Sequence, residues 1–368
     1  MMRARPAAVY AWAAAGIACL GRSDPRGDFA ARPEPADLVY ADDQRRDALA
    51  RAQVWSEPSV PVAAFDFRAD ADGRPGPAEE VVCRFQLKAS AGLTPKFACV
   101  LDGGEVVKVK YGRYNAEPQA EVAASRLLTA LGFGADRMSV VRRVRCYGCP
   151  PYPYPRQAWF DGLRAAAGGY RVFEDVVVER SLPGRAIESP TVSGWGFYEL
   201  ARARVVVGGA SAAQRDALLL MAAFLNHWDN KSGNQRLLCR PGSDGADGSC
   251  RAVLAFIQDL GSSFGPWKVD LEGWRRHPVF ADPRACRLSM EALPFEGGTF
   301  PEGAVGEEGR RRLAQALGQL RPEQVHDLFT AARFAEAPTA GGATVEAWAS
   351  AFRERVRQIQ DAGPCPAP

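Results

Sequence analysis

Histidine and lysine are scarce in this chain of 368 residues, and each scarcity narrows the kinds of site it can hold. There are three histidines and no histidine-rich cluster, which argues against a metal site built from imidazole ligands. Arginine supplies most of the 46 basic residues, so each lysine stands out as a candidate for a specific role. The lysines are Lys88, Lys96, Lys108, Lys110, Lys231 and Lys268.

An excess of charge of one sign is also missing. The formal net charge is +3, and basic and acidic residues are interspersed along the chain. Proteins that bind phosphate backbones usually present a clustered basic face. The composition therefore gives little support to nucleic-acid binding, and we expect no nucleic-acid partner. The hydrophobic content of 47% and charged content of 24% are those of an ordinary globular protein, and the length allows more than one lobe.

Beyond the N-terminus, no stretch is long and apolar enough to cross a membrane. The N-terminus itself, MMRARPAAVYAWAAAGIACLG, has a basic start, a mostly apolar run and a small-residue break, which is the layout of a secretory signal over residues 1–19. The GIAC sequence also resembles a bacterial lipoprotein cleavage site with Cys19 as the lipidated residue. We expect an exported protein, periplasmic or anchored to the bacterial membrane through Cys19; a cytoplasmic chain with a misassigned start is the alternative.

The cysteines agree with export. Apart from Cys19 there are eight, and an even set in an exported chain indicates disulfides, which persist in oxidising compartments. Cys239 and Cys250 flank the turn-rich segment RPGSDGADGS and would close a hairpin. Cys146 and Cys149 form a CxxC motif. No second CxxC completes a zinc site, and the following CPPYPYP blocks the helix start that a redox pair needs, so a structural disulfide or a reduced pair is favoured.

Hydrophobic patterning predicts an α+β fold with two lobes. Residues 20–75, rich in Pro, Arg, Asp and Ala, read as a linker with one short helix. Residues 76–185 alternate as antiparallel strands do and contain one well-patterned helix, PQAEVAASRLLTALGF. Residues 186–368 read as a mostly helical C-terminal lobe.

A polar loop, DNKSGN, follows the apolar helical run ALLLMAAFLNHW. Phosphoryl transfer needs a carboxylate near the acceptor hydroxyl, an oxygen ligand for a hard cation, and a cationic group near the moving phosphate. Asp229, Asn234 and Lys231 supply these three types within one loop. Asp259 of IQDLG follows an apolar strand and would be a second cation ligand.

Two features upstream of this loop fit the same chemistry. Lys110, on a predicted strand, and Glu121, on the next helix, are spaced to form an ion pair that would direct the ammonium toward phosphates. The small-residue loop SAGLTPK, which contains Gly92 and Thr94, offers backbone N–H groups and Lys96 to cover phosphates. Taken singly, each residue has a plain structural interpretation, such as a helix cap or a solvated strand face; their order along the chain is what indicates phosphotransfer.

The pattern DNKSGN…DLG is similar to the DLKPEN…DFG pattern of protein-kinase-like folds, and SAGLTPKF…KVKYG…AEVAASRLLTALGF resembles HipA-like serine kinases. The resemblance covers residues 81–265. It implies that Asp229 orients the acceptor, with Lys231 beside the γ-phosphate. It also implies that Asn234 and Asp259 bind Mg²⁺ or Mn²⁺, that Lys110 and Glu121 serve the α/β-phosphates, and that Gly92, Thr94 and Lys96 belong to the phosphate loop. Export and disulfides add a looser similarity to secretory-pathway casein kinases.

The chain departs from the kinase pattern in three places. His227–Trp228 replaces the usual His-Arg before Asp229, the phosphate loop lacks GxGxxG, and the spacing from Asn234 to Asp259 is long. The resemblance implies an ATP- and metal-dependent phosphotransferase acting on a hydroxyl, such as Ser or Thr of a protein. The alternatives are an inactive nucleotide-binding or scaffold protein of the cell envelope, and a lipid or sugar kinase related to phosphoinositide-type kinases.

Overall fold

The computed structural model describes residues 27–69, 80–88, 90, 92–112, 114–154, 169–266, 268–290, 298–301 and 303–366. The expected signal segment, including Cys19, lies outside these residues. The observed elements form the predicted α+β fold, built from a closed barrel, a mixed sheet, a small hairpin and seven α-helices within the described ranges.

Five strands close the barrel, in the order β3-β4-β5-β7-β6. The strands are β3 Glu80–Gln86, β4 Lys96–Leu101, β5 Val106–Lys110, β6 Arg137–Tyr147 and β7 Tyr170–Arg180. The expected antiparallel sheet is antiparallel at four junctions, but β3 and β6 pair in parallel, which closes the sheet on itself. Helix α2, Glu117–Ala130, leads from β5 toward β6 and packs on the barrel.

The second sheet has five strands in the order β1-β8-β9-β10-β2. They are β1 Leu38–Val39, β2 Ala52–Gln53, β8 Arg185–Glu188, β9 Gln235–Cys239 and β10 Val253–Ile257. The outer strands β1 and β2, which flank helix α1 (Asp42–Ala50), come from the segment expected to be a linker. Residues 27–69 are therefore part of the fold, because both edges of the central β8–β9–β10 unit hydrogen-bond to them. Strands β8, β9 and β10 also give residues 186–368 more β-structure than the mostly helical interpretation anticipated.

The remaining helices share one large hydrophobic core with this sheet. They are α3 Ala212–Leu225, α4 Leu271–Arg276, α5 Glu307–Gly318, α6 Pro322–Ala331 and α7 Val345–Asp361; the hairpin consists of β11 Phe280–Asp282 and β12 Arg287–Leu288. Helix α3 starts with a capping box, in which Ser211 and Gln214 exchange side-chain to backbone hydrogen bonds. None of the helices in the described ranges is long and apolar enough to span a membrane.

Helix α3 ends at Asn226, whose left-handed φ of 55° turns the chain into the polar loop. The guanidinium of Arg355, on α7, is buried against this end. It donates to the carbonyls of Ala223 and Phe224 at 2.9 Å and to Oδ1 of Asn226 at 2.9 Å. A positive charge at the C-terminal end of a helix is favourable because the free carbonyls there carry partial negative charge. Arg355 therefore fixes the point from which the loop departs.

Four disulfides join all eight cysteines other than Cys19. The expected Cys239–Cys250 bridge forms and closes the β9–β10 hairpin. The CxxC motif is a disulfide, as favoured from the sequence, and the other bridges are Cys83–Cys99 and Cys286–Cys365. Such a set indicates an oxidising compartment.

Candidate functional site

Lys110 lies at the end of β5 with its side chain buried, at 4% exposure. Its ammonium lies 2.5 Å from Oε1 of Glu121 on α2 and 2.8 Å from Oε2 of Glu179 on β7. The structure thus brings together the two residues expected to pair and adds a second carboxylate, Glu179, that the sequence analysis missed. Glu179 also accepts from Lys108, the lysine two residues earlier on the same strand.

The carboxylates around Lys110 govern its charge. Burial alone would lower the pKa of Lys110, but the nearby carboxylates of Glu121, Glu179 and Asp259 outweigh it and hold the pKa well above its usual range. Burial raises the pKa of Glu121, with Asp259 and Glu179 adding to the rise, while the adjacent ammonium of Lys110 opposes it and favours the carboxylate. The ammonium of Lys110 therefore stays charged at neutral pH.

Lys96 lies beside Lys110, because the two residues face each other in the β4–β5 register. It is 9% exposed, and within the described part of the chain no carboxylate pairs with it. Burial, together with the charges of Lys110 and Lys108, lowers the pKa of Lys96. A largely buried ammonium without a carboxylate partner is costly, and its charge is available to an anion.

The loop before Lys96 is shaped around this ammonium. Gly92 has a φ of 92°, and a Cβ at this position would lie 3.1 Å from Nζ of Lys96, so the missing side chain lets the loop approach. Thr94 is buried, and its hydroxyl accepts from the amide of Asn115 at 2.8 Å, just before α2 begins. The loop, Lys96 and the N-terminal end of α2 therefore meet at the same place.

Asp229, Lys231 and Asn234 follow helix α3. The ammonium of Lys231 lies 2.8 and 2.7 Å from the two carboxylate oxygens of Asp229. The side-chain amide of Asn234 donates to the carbonyl of Asp229 at 2.6 Å. The carbonyl of Asn234 in turn accepts from the backbone N–H of Asp259 at 3.0 Å, which joins the loop to the end of β10.

Asp259 faces the same lysines as the barrel residues. Burial would raise its pKa, but Lys110, a hydrogen bond from the N–H of Gly261 and Lys96 lower it. Oxygens of Asp259, Glu121 and Glu117 lie within 4.8 Å of one another, a group that could hold a cation. Glu117 was not singled out, although it precedes Glu121 by four residues on the same helix face.

This carboxylate group fits a hard divalent cation, which prefers oxygen ligands. Oε2 of Glu121 is buried and has no hydrogen-bond partner in the described chain, so one oxygen remains open to a ligand. Gly261 makes room for the group, since a Cβ there would lie 1.9 Å from Cγ of Glu117. Glu117 also pairs with Lys268 at 2.6 Å, which holds it in position.

A second layer of contacts supports the polar loop from behind. Arg45 on α1 makes a buried two-point ion pair with Glu199, with contacts of 2.8 and 2.7 Å, and donates to the carbonyl of Gly194. Gly194 has a φ of 66°, and a Cβ there would lie 2.1 Å from the carbonyl oxygens of Ser232 and Gln235. No side chain fits at this position, so Gly194 allows the segment to press directly against the loop.

His227 should make the fold less stable in acid. It is fully buried, and burial lowers its pKa from 6.5 to about 4, although Asp259 and Asp229 oppose the change. Below pH 6.5 the imidazole therefore binds a proton in the unfolded chain, whereas in the folded chain it binds one only near pH 4. The free energy of unfolding should fall with pH in this window by about 1.4 kcal/mol per pH unit from this group.

Urea unfolding of the wild type and of a His227→Gln variant at pH 7, 6 and 5 would measure this effect. The comparison of slopes removes the contribution of carboxyl groups common to both proteins. The variant should lose less stability than the wild type between pH 7 and pH 5, and equal losses in both would contradict the assignment.

All nine residues singled out from the sequence lie in one connected region. Gly92, Thr94, Lys96, Lys110 and Glu121 come from the barrel and α2, and Asp229, Lys231, Asn234 and Asp259 from the two loops beside β9 and β10. No family model matches the chain, and no curated protein matches it.

Among the solved structures to which the chain is similar are three structures of kinases. One is a proinflammatory kinase of Helicobacter pylori, CtkA, at 10% identity and a TM-score of 0.40, covering 78% of this chain and 95% of the other. Another is the Golgi casein kinase with Mn/ADP bound, at 12% identity and a TM-score of 0.33, covering 87% and 76%. A further structure of the Golgi casein kinase has 12% identity and a TM-score of 0.31, covering 88% and 76%. The roles of individual residues are argued from the geometry of the site.

Proposed function

We propose that this protein is an ATP- and divalent-metal-dependent phosphotransferase that acts on a hydroxyl group. The proposal rests on one observation: buried lysine side chains and a group of carboxylates lie in the same region. Lys96 is buried beside Lys110 and has no carboxylate partner in the described chain, and three carboxylates, those of Glu117, Glu121 and Asp259, converge within 4.8 Å beside Lys110. A nucleotide phosphate bound with a cation satisfies both sets at once.

We assign the base of the nucleotide to a cavity that is lined by both charged and apolar residues, the charged ones including Lys88, Asp136 and Arg236. It has a volume of about 650 Å³, within the range of small-molecule sites. Its apolar walls include Val106, Leu182, Leu238 and Phe256, from the barrel and the second sheet, and its lining continues to Gln258, the residue before Asp259. A base held there would direct its phosphates toward the lysines.

In the proposed reaction the hydroxyl oxygen of the acceptor forms a bond with the γ-phosphorus, and the bond between that phosphorus and the β–γ bridging oxygen breaks. Asp229 accepts the proton of the hydroxyl, and Lys96 and Lys110 hold the phosphates in place. Lys231 leaves Asp229 for the transferring phosphate. Asp259 and Asn234, with the neighbouring glutamates, would hold the cation, which would neutralise phosphate charge. Catalysis is then mainly positioning and charge stabilisation.

A nucleotide-binding protein without catalysis is the second candidate. One contact favours it: both carboxylate oxygens of Asp229 are already engaged by Lys231. This candidate requires that the ion pair persist when nucleotide and acceptor are bound, which leaves Asp229 unable to accept a proton.

The two-lobed organisation and the location belong to the same proposal. The barrel with α2 forms the nucleotide-binding lobe, and residues 186–368 with the described part of 20–75 form the second lobe. The acceptor is a hydroxyl of a protein, lipid or sugar. The four disulfides fit an exported bacterial protein, which is either free in the periplasm or anchored through Cys19.

Nucleotide-dependent thermal stabilisation tests the binding site. We expect ATP with Mg²⁺ or Mn²⁺ to raise the melting temperature of the wild type, with a gain of about 2.7 kcal/mol when free nucleotide is 100 times its Kd. Asp259→Asn should lose the metal-dependent part of the rise, because Asp259 is at the centre of the carboxylate group. Asp361→Asn, an exposed change at the end of α7, is the matched control and should behave as the wild type. If nucleotide fails to stabilise the wild type in either metal, the proposed function is wrong.

A further inference from the structure

Two disulfides touch each other inside the barrel. One joins Cys83 on β3 to Cys99 on β4, and the other joins Cys146, near the end of β6, to Cys149 in the loop that follows. The sulfur of Cys99 lies 3.7 Å from the sulfur of Cys146, and the sulfurs of Cys83, Cys99 and Cys146 all lie within 4.8 Å of one another. The sulfurs of Cys83 and Cys99 thus lie beside the CxxC motif in the fold, although they are distant from it in the sequence.

The strand register creates this contact. Cys83 and Cys146 face each other across the parallel β3–β6 junction, and β4 lies on the other side of β3. All three side chains are buried in the barrel core, with 0% exposure. Cys149 is 8% exposed, and a Cβ on the neighbouring Gly148 would meet no atom within 4 Å. Cys149 is therefore the one cysteine of the four whose residue retains some exposure, although it too belongs to the barrel core.

Disulfides exchange when a thiolate attacks a disulfide sulfur and displaces the other sulfur of that bond. The slow requirement in a folded protein is to bring the attacking sulfur into contact with its target. Here the sulfurs of Cys146 and Cys99 are already 3.7 Å apart although each belongs to a different bridge, and release of Cys146 from Cys149 would free its side chain to rotate into line with the Cys83–Cys99 bond.

We propose that these four cysteines form an exchange site, through which an external dithiol reductant acts on the internal bridge of the barrel. A thiolate of the reductant attacks Cys149, forms a mixed disulfide and releases Cys146 as a thiolate. Cys146 attacks Cys99, and Cys83 leaves as a thiolate and takes up a proton. The second thiol of the reductant then attacks the mixed disulfide and releases Cys149 as a thiol.

The net change is the reduction of one disulfide by two electrons and two protons, with oxidation of the dithiol to its own disulfide. The internal bridge moves from Cys83–Cys99 to Cys99–Cys146, and the free thiols are at Cys83 and Cys149. Strand β4 begins at Lys96, three residues before Cys99. The exchange therefore links this strand to β6 instead of β3. This inference concerns the cysteines alone and holds whether or not the chain transfers phosphate.

A Cys149→Ser variant of the full chain tests the exchange. It leaves Cys146 as a free thiol against the Cys83–Cys99 bridge. After oxidative folding, acid quenching and alkylation, peptide mapping without reduction should show a Cys99–Cys146 bridge and a free thiol divided between Cys83 and Cys146. A variant with only the Cys83–Cys99 bridge and all free thiol at Cys146 would overturn the proposal.

The matched control is Cys250→Ser, which frees Cys239 at a bridge that no third sulfur of the described chain approaches within 4.8 Å. Its free thiol should stay at Cys239. If the Cys149→Ser protein fails to fold, the wild type treated with one equivalent of reduced dithiothreitol gives the same information. Thiols at Cys83 and Cys149 support the exchange; thiols at Cys146 and Cys149 with an intact Cys83–Cys99 bridge overturn it.

Discussion

Replacement of Asp229 with asparagine should lower phosphotransfer by about 10²- to 10⁴-fold, the usual contribution of a positioned general base. An amide cannot take the proton of the acceptor hydroxyl, but it keeps the shape of the carboxylate and can still accept from Lys231. Nucleotide binding should remain, because the lysines and the group of Glu117, Glu121 and Asp259 are unchanged. Transfer of radiolabelled γ-phosphate to the protein itself and release of ADP would measure the rate, and nucleotide-dependent melting would measure binding.

Three proteins make this experiment decisive. The wild type should transfer phosphate, Asp229→Asn should bind without transferring, and the surface control Asp361→Asn should do both. If the wild type binds nucleotide with metal but transfers no faster than Asp229→Asn, the chain is the non-catalytic nucleotide binder that the Lys231–Asp229 ion pair favours. Loss of binding in Asp229→Asn would instead assign Asp229 to the nucleotide site.

Replacement of Arg355 with methionine should lower the free energy of unfolding by at least about 1–3 kcal/mol, the cost of leaving a buried hydrogen-bonding group without its partner. Burial lowers the pKa of Arg355 to about 9, so the group is still charged at neutral pH. The partners of its guanidinium are carbonyl and amide oxygens from three places: the end of α3, Trp274 and His277. Methionine has a similar length but no donor, which leaves these buried oxygens unsatisfied.

Urea unfolding of Arg355→Met and of Arg357→Met would check this value. Arg357 is exposed on the same helix, so its replacement should change stability by no more than about 0.5 kcal/mol. The Arg355 variant should also lose phosphotransfer at temperatures where it is still folded, because the loop that carries Asp229 starts at the helix end it supports. Equal stabilities of the two variants would show that water or other donors replace the guanidinium.

The local sequence pattern was sufficient to predict several elements of the barrel and the pairing of Lys110 with Glu121. Strands β3, β4 and β5 and helix α2 lie where alternation and helical spacing predict them, and the polar loop follows an apolar helix as expected. Lys110 and Glu121 are eleven residues apart on adjoining elements, so their pairing is a short-range property. Glu117 was within reach of the same reasoning, since residues four apart on a helix share a face.

What sequence alone could not supply depends on long-range register. Glu179 reaches Lys110 because β7 pairs with β5 in the closed barrel, and alternation marks β7 as a strand without giving its neighbour or alignment. The contact between Cys99 and Cys146 likewise requires the parallel β3–β6 junction. Strands β1 and β2 are two residues long, too short for any periodic pattern, and the support of the polar loop by Arg45 depends on the segment between them.

The position of β1 and β2 at the two edges of the second sheet has a consequence for synthesis and folding. An uncovered sheet edge can pair with another chain and lead to aggregation. The covering strands are translated first, but their partners β8 and β10 begin at residues 185 and 253. Residues 38–53 must therefore wait for more than half of the chain before they can pair, and such distant contacts slow folding. A chaperone that binds residues 38–53 would keep them from pairing with another chain until β8 and β10 have been made.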